Sequence, residues 1–325
     1  MKLSILDLAH VPVGMDVGGA LRNTLDLARH VDALGYERFW LAEHHNMPGI
    51  ASAATSVVIG QVAAATQRIR VGAGGIMLPN HSPLVIAEQF GTLEALFPGR
   101  IDLGLGRAPG TDGLTWRALR RDPRAADHFP EDVVELQALL GPVQPGQRIR
   151  AVPGAGSNVP LWILGSSLFG AQLAAHLGLP YAFASHFAPA ELHGALRVYR
   201  GRFQPSAQLE RPYAMAGVNV VVAPTDEEAA RLFTSLQRVV LGIVTGARAQ
   251  LAPPAPLESV PPQVQQQLDG FLGCSFVGSP QTVRAGLEQF IDTTGVDELI
   301  VATAIYDHAM RLRSYQLLSQ SFGLS

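Results

Sequence analysis

Along the chain, short apolar runs rich in branched residues alternate with longer stretches of helical period. The runs at 3–8, 38–42, 69–77, 101–106, 161–165, 181–185, 214–222 and 298–303 read as strands. The stretches at 18–34, 51–66, 83–97, 131–140, 168–176, 189–203, 225–241 and 307–320 repeat apolar residues about every 3.6 positions and read as helices. NVVVA at 219–223 and LIVATA at 299–304 lack polar alternation, as strands do when helices cover both faces of a parallel sheet. Eight strand–helix cycles predict an α/β chain folded as a (β/α)8 TIM barrel, one domain over residues 1–325. A doubly wound open sheet is the competing architecture, which about six or seven units would favour.

Two segments break the rhythm. ARAQLAPPAPLESVPPQ at 247–263 is too proline-dense for regular structure, and predicts an extended insertion over about 245–278, a candidate lid. A further helix comes next, at 280–291. GPVQPGQRIRAVPGAGSN at 141–158 reads as a connection with room for a small hairpin.

Composition narrows the function. The chain has 325 residues, 47% hydrophobic and only 16% charged, enough for a large core under a lean charged surface. That balance favours a stable oligomer, and the Ala- and Val-rich helices at 51–66 and 83–97 are the expected homodimer surface. With 24 Lys+Arg against 27 Asp+Glu, a net charge of -3 provides no field for nucleic acid or anionic membrane. Cys274 is the only cysteine, so neither an intrachain disulfide nor a cysteine-based zinc site is available. No basic-then-apolar signal region and no apolar run of about 18 residues is present, so a cytoplasmic protein is expected. Lys2 is the only lysine. That removes interior phosphate-binding and Schiff-base lysines, and with them whole enzyme classes.

In a barrel of this kind the reaction face lies at the carboxyl ends of the strands. Glu43, His44 and His45 follow the second strand, Pro79, Asn80 and His81 the third, Arg107 the fourth, Ser166 and Ser167 the fifth, and His186 the sixth. His44 is the candidate general acid or base. Histidines at strand ends often only cap backbone, but several on one face favour a site. A metal is not expected, because adjacent strand residues point in opposite directions and the helical H-E-x-x-H spacing is missing. GLGRAPG at 104–110 offers bare backbone and a guanidinium to an anion, although a surface salt bridge for Arg107 stays open. The spacing departs from G-x-G-x-x-G, and the residues after Gly110 do not read as a helix. LGSSLFGAQLAAHLG at 164–178 sets Ser166 and Ser167 at a helix start, where they could cap the helix, bind phosphate, or both. Gly74 and Gly75 in VGAGGIMLP at 71–79 leave room for a flat ligand or simply for packing.

Five collinear segments make the chain resemble the bacterial luciferase-like flavin-dependent monooxygenases: WLAEHH at 40–45, VGAGGIMLPNHSPLVIAEQF at 71–90, FPGRIDLGLGRAPG at 97–110, LWILGSSLFGAQLAAHLGLP at 161–180 and FVGSPQTVRAGLEQFIDTTGVDELIV at 276–301. The resemblance implies a (β/α)8 barrel with a late excursion. It implies reduced FMN, supplied by a separate flavin reductase, and molecular oxygen that oxidises a small organic substrate such as an aldehyde. By the same resemblance His44 is catalytic, His45 is its structural neighbour in cofactor binding, and Arg107, Ser166 and Ser167 hold the FMN phosphate. Gly74 and Gly75 would form a cis peptide beneath the flavin ring. Gly106 stands where the luciferases carry a reactive cysteine, and FASHFAP around Ser185 and His186 replaces their tryptophan, departures that point away from light emission and long-chain aldehydes. A deazaflavin-dependent hydride-transfer enzyme on the same barrel and a non-catalytic flavin-binding subunit are the rival readings.

Overall fold

Eight parallel strands close on themselves in the order β6-β5-β4-β3-β2-β1-β9-β7, with β6 pairing back onto β7. They are β1 (Lys2–Asp7), β2 (Arg38–Leu41), β3 (Arg70–Met77), β4 (Ile101–Gly106), β5 (Leu161–Gly165), β6 (Tyr181–Phe183), β7 (Ala214–Val222) and β9 (Glu298–Ala302). A short strand β8 (Ser275–Gly278) lies outside this ring, in register with Asn219–Val222 of β7. The helices are α1 (Val17–Ala33), α2 (Thr55–Ala65), α3 (Pro83–Leu96), α4 (Gly113–Ala118), α5 (Phe129–Leu140), α6 (Leu168–Leu177), α7 (Leu192–Arg202), α8 (Asp226–Thr245), α9 (Pro262–Phe271), α10 (Pro280–Thr294) and α11 (His308–Phe322). This computed structural model describes residues 1–325 except Pro109, Pro123, Glu258 and Ser325. Among them no helix is long and apolar enough to cross a membrane.

The TIM barrel is the predicted fold, and its cause is visible in the strands. Successive strand side chains face opposite ways. Phe39 and Leu41 point outward into the core shared with the helices, as do Leu299 and Val301. Trp40, Ala42, Ile300 and Ala302 point inward and meet Trp162 and Met215 inside the barrel. Both faces are therefore apolar, and the strands read as unbroken hydrophobic runs. Below this inner layer, at the amino ends of the strands, Arg38 donates to Asp102 at 2.7 Å and to Glu298 at 3.0 Å. Arg70 and Trp40 also donate to Asp102, and Tyr213 to Glu298. Both carboxylates in this floor have cationic and neutral donors.

Three expectations need correction. The insertion over about 245–278 is not wholly irregular: Pro262 takes a first-turn position of α9, where its missing N–H costs nothing, and β8 closes the segment. Between α8 and α9 the described residues form neither helix nor strand. There Leu251 is tied to the loop after β1, donating its N–H to Val11 O at 3.1 Å and accepting from Val13 N at 2.8 Å. The residues after GLGRAPG do form a helix, α4, because Asp112 caps it by accepting from Thr115 N. The connection at 141–158 holds turns and a cis Val152–Pro153 bond rather than a hairpin.

Candidate active site

A cavity of about 450 Å³ opens among the carboxyl ends of the strands. Its wall contains His44 beyond β2, Gly74 and Gly75 of β3, Arg107 beyond β4, Ser166 and Ser167 between β5 and α6, and His186 beyond β6. Residues far apart in sequence thus share one mouth. His45 is not part of that wall.

At one end of the cavity a guanidinium and a helix start lie together. The Arg107 guanidinium lies over the Phe169 ring, 4.0 Å from its centroid. Among the described residues it meets no carboxylate, so the surface salt bridge left open by the sequence is not formed. Phe169 belongs to the first turn of α6, which brings the cation to that helix start. Ser167 occupies the N-cap position, yet its side chain makes no capping bond. Among the described residues, the first-turn N–H groups thus have no side-chain cap, a setting in which the helix dipole favours negative charge. Tyr181 Oη fixes the turn by donating to Ser167 O at 3.2 Å.

The adjoining wall is bare backbone. The Gly74–Gly75 peptide is cis. A Cβ on Gly74 would lie 2.9 Å from Leu6 Cδ1, and one on Gly75 would lie 2.6 Å from Gly104 O. Only glycine lets β3 pack this closely and present a flat face to the cavity. The opposite wall is apolar: Leu236, Val239, Val240 and Ile243 come from α8, and Phe271 from α9. In the sequence α8 reads as a helix but not as a cavity wall, and α9 follows a proline-rich stretch that hides it.

His44 and Glu43 point to opposite sides, as neighbours beyond a strand should. His44 Nδ1 contacts Gly110 O at 3.4 Å. A carbonyl only accepts, so Nδ1 carries the proton and Nε2 keeps its lone pair. Burial pushes the His44 pKa below its ordinary value, partly opposed by that backbone bond, so the ring is neutral near pH 7. Glu43 faces the protein. It accepts from His45 Nε2 at 2.8 Å, from His81 Nε2 at 2.9 Å and from Met77 N at 3.0 Å. Burial alone would raise its pKa, but the bonds from His45 and His81 and the neighbouring charge hold it down to about 2. The same bond raises the pKa of His45.

Donor atoms of Glu43, His45 and His81 lie within 4.8 Å of one another, a spacing that could hold a metal ion. The sequence argument separated His44 from its neighbours but missed that Glu43 and His45 return to the same side. Because the Glu43 oxygens already receive four donors, counting Asn80 Nδ2 at 3.3 Å, we read the cluster as a hydrogen-bonded hub joining the ends of β2 and β3.

Further residues of the wall escaped the sequence reading. Asp7, His10 and Arg311 also line the cavity. Arg311 Nη2 donates to Asp7 Oδ1 at 2.6 Å, and Thr24 Oγ1 to Asp7 Oδ2 at 2.7 Å. Burial, reinforced by Arg311, lowers the His10 pKa to about 4. His10 follows the first strand and could have been found by the strand-end rule; Arg311 reaches in from α11 and carried no comparable signal.

The family description "luciferase-like monooxygenase" matches residues 1–298 of the chain. A luciferase-like monooxygenase of Escherichia coli (strain K12) is 52% identical over 98% of this chain and 96% of its own length. The N-acetyl-S-alkylcysteine monooxygenase of Bacillus subtilis (strain 168) is 32% identical over 99% of this chain and 98% of its own. The crystal structure of apo-MsnO8 superposes with a TM-score of 0.89 at 37% identity, covering 100% of this chain and 99% of that one. An FMN complex of a Pseudomonas putida Baeyer–Villiger monooxygenase constituent, 17% identical, and an F420-dependent secondary alcohol dehydrogenase, 15% identical, share the fold alone. Whole-length identity and a common barrel lead to one conclusion: the chain belongs to the luciferase-like monooxygenase family.

Proposed function

We propose that the protein is an FMN-dependent monooxygenase that uses reduced FMN, supplied by a separate cytoplasmic reductase, and molecular oxygen to oxidise a small organic substrate such as an aldehyde. The observation that carries this reading is the unpaired Arg107 stacked on Phe169 beside the uncapped start of α6, opening into the same cavity as His44. A single phosphate fits that end: the guanidinium supplies two parallel donors, the helix start supplies N–H groups, and Ser166 and Ser167 add hydroxyls. Gly74 and Gly75 give a planar ring a wall without side chains. Bound there, reduced FMN would supply the electrons that activate oxygen. The protein's own part is to seat the ring, exclude water with the α8 and α9 wall, and move a proton at His44. Neutral His44, with Nδ1 held by Gly110, takes a proton at Nε2 and can return it. His45 acts from outside the cavity, through Glu43.

Oxygen uptake with NADH, FMN, a flavin reductase and octanal tests the reading. Aldehyde-dependent uptake with carboxylate formation is expected. Hydride transfer from reduced F420 without oxygen uptake would replace FMN by the deazaflavin reading. We further propose a homodimer formed through α2 and α3, which leave Val57 65% and Leu96 65% exposed. A Val57→Glu/Leu96→Glu double variant should elute as a monomer, and an unchanged dimer would refute this surface.

A further inference from the structure

His186 is the one cavity histidine whose ring is anchored without its nitrogens being used. Its backbone is held from both sides by β7: Asn219 Nδ2 donates to His186 O at 2.6 Å, and Ser185 Oγ to Gly217 O at 2.6 Å. The imidazole then lies over the bare Cα of Gly217, where a Cβ would come within 2.3 Å of His186 Nδ1. Phe187 meets it edge-on at 4.9 Å and leads to Phe271 of the apolar wall at 6.0 Å. Among the described residues, Nδ1, buried against Gly217, has no hydrogen-bond partner, and Nε2 meets none either. Burial, with His44 nearby, pushes the ring pKa down to about 4, so it is neutral at pH 7 and offers one donor and one acceptor. With Nδ1 packed on Gly217, Nε2 on the far edge of this cavity-lining ring is the nitrogen left to meet a ligand.

Resting on the proposed function, we infer that His186 Nε2 hydrogen-bonds the oxygen of a neutral, mostly apolar carbonyl substrate, and so selects substrate rather than cofactor. The surroundings fix the class. The anion end, with Arg107, Ser166 and Ser167, lies beyond β4 and β5, whereas His186 lies beyond β6 beside Phe187 and the α8 and α9 wall. A hydrocarbon body fits that wall, and a neutral imidazole suits an uncharged oxygen better than a carboxylate.

The test records the imidazole nitrogen resonances of the 15N-histidine-labelled protein, with His186 assigned by its absence in His186→Leu. Octanal should move the His186 Nε2 signal, while oxidised FMN alone should leave it nearly still. His186→Leu should bind octanal about tenfold more weakly, the loss of roughly one hydrogen bond, with less than a twofold change in FMN affinity. His186→Asn, which keeps a polar group, should recover part of that loss. Gly217→Ala, which displaces the ring while leaving it present, should weaken octanal in the same direction. A signal moved by FMN and not by octanal, or octanal affinity unchanged in both His186→Leu and Gly217→Ala, would overturn the assignment. Failure of the wild type to bind FMN would instead strike the proposed function, and the octanal arm would still be readable.

Discussion

At the amino-terminal end of the barrel, Arg38, Arg70, Asp102 and Glu298 meet in one closed network in which the carboxylates face guanidinium, indole and phenol donors. At the carboxyl-terminal end, among the described residues, Arg107 lies over an aromatic ring and meets no carboxylate, and His186 Nδ1 has no partner. The arginines of the floor face carboxylates, as Arg311 does beside the cavity, whereas among the described residues Arg107 faces none. Pairing at the floor ties the strands together; on the proposed reading, the open groups at the mouth are kept for a ligand. Substitutions at the floor should therefore cost stability, and those at the mouth should cost binding or turnover.

The largest separation is expected from His44→Ala. It should lower kcat roughly 100- to 10,000-fold, the usual contribution of a positioned acid–base group, while the urea midpoint stays close to wild type. Activity retained in this variant would remove His44 from the chemistry. Next, Arg38→Met leaves two buried carboxylates without their shared cation and should destabilise the fold by about 3–5 kcal/mol in urea unfolding. A neutral result there would show that the floor does not hold the barrel as its geometry implies.

Glu43 sits between the two cases, since it is fully paired yet adjoins His44. Its pKa is lowered from 4.5 to about 2, so its contribution is present above about pH 4.5 and is lost as pH falls towards 2. The total is on the order of 3 kcal/mol. His45 has the opposite sign: its raised pKa favours the fold below about 6.5, and that part is lost as pH rises through the raised value. Urea unfolding of the wild type should show both slopes. Glu43→Gln should flatten the acid one, and an unchanged acid slope would place the titrating group elsewhere.

Much of this contrast was legible in the chain. Strands buried on both faces announce themselves as apolar runs, so β4, β5 and β7 were placed to the residue. Strand ends in turn name the mouth, which is why His44, Arg107, Ser166 and Ser167 could be grouped before their geometry was known. The features that could not be read depend on approach between distant elements. β8 pairs with β7 outside the closed ring of eight strands, a place that counting strand–helix cycles does not announce. α9 begins at a proline that composition alone counts against it. That His45 turns from the cavity to Glu43, while His81 arrives from β3 to meet them, reflects the path of two loops and not any spacing within one.

The central claim is that the open end of the cavity beside α6 holds the phosphate of FMN. Dissociation constants for FMN and riboflavin, measured on the wild type and on Arg107→Ala, test it most directly, because the two ligands differ only by that phosphate. The account predicts that Arg107→Ala weakens FMN about 10- to 100-fold, the range of a charge-assisted pair, and changes riboflavin less than twofold. Equal losses for both ligands, or none for FMN, would contradict it.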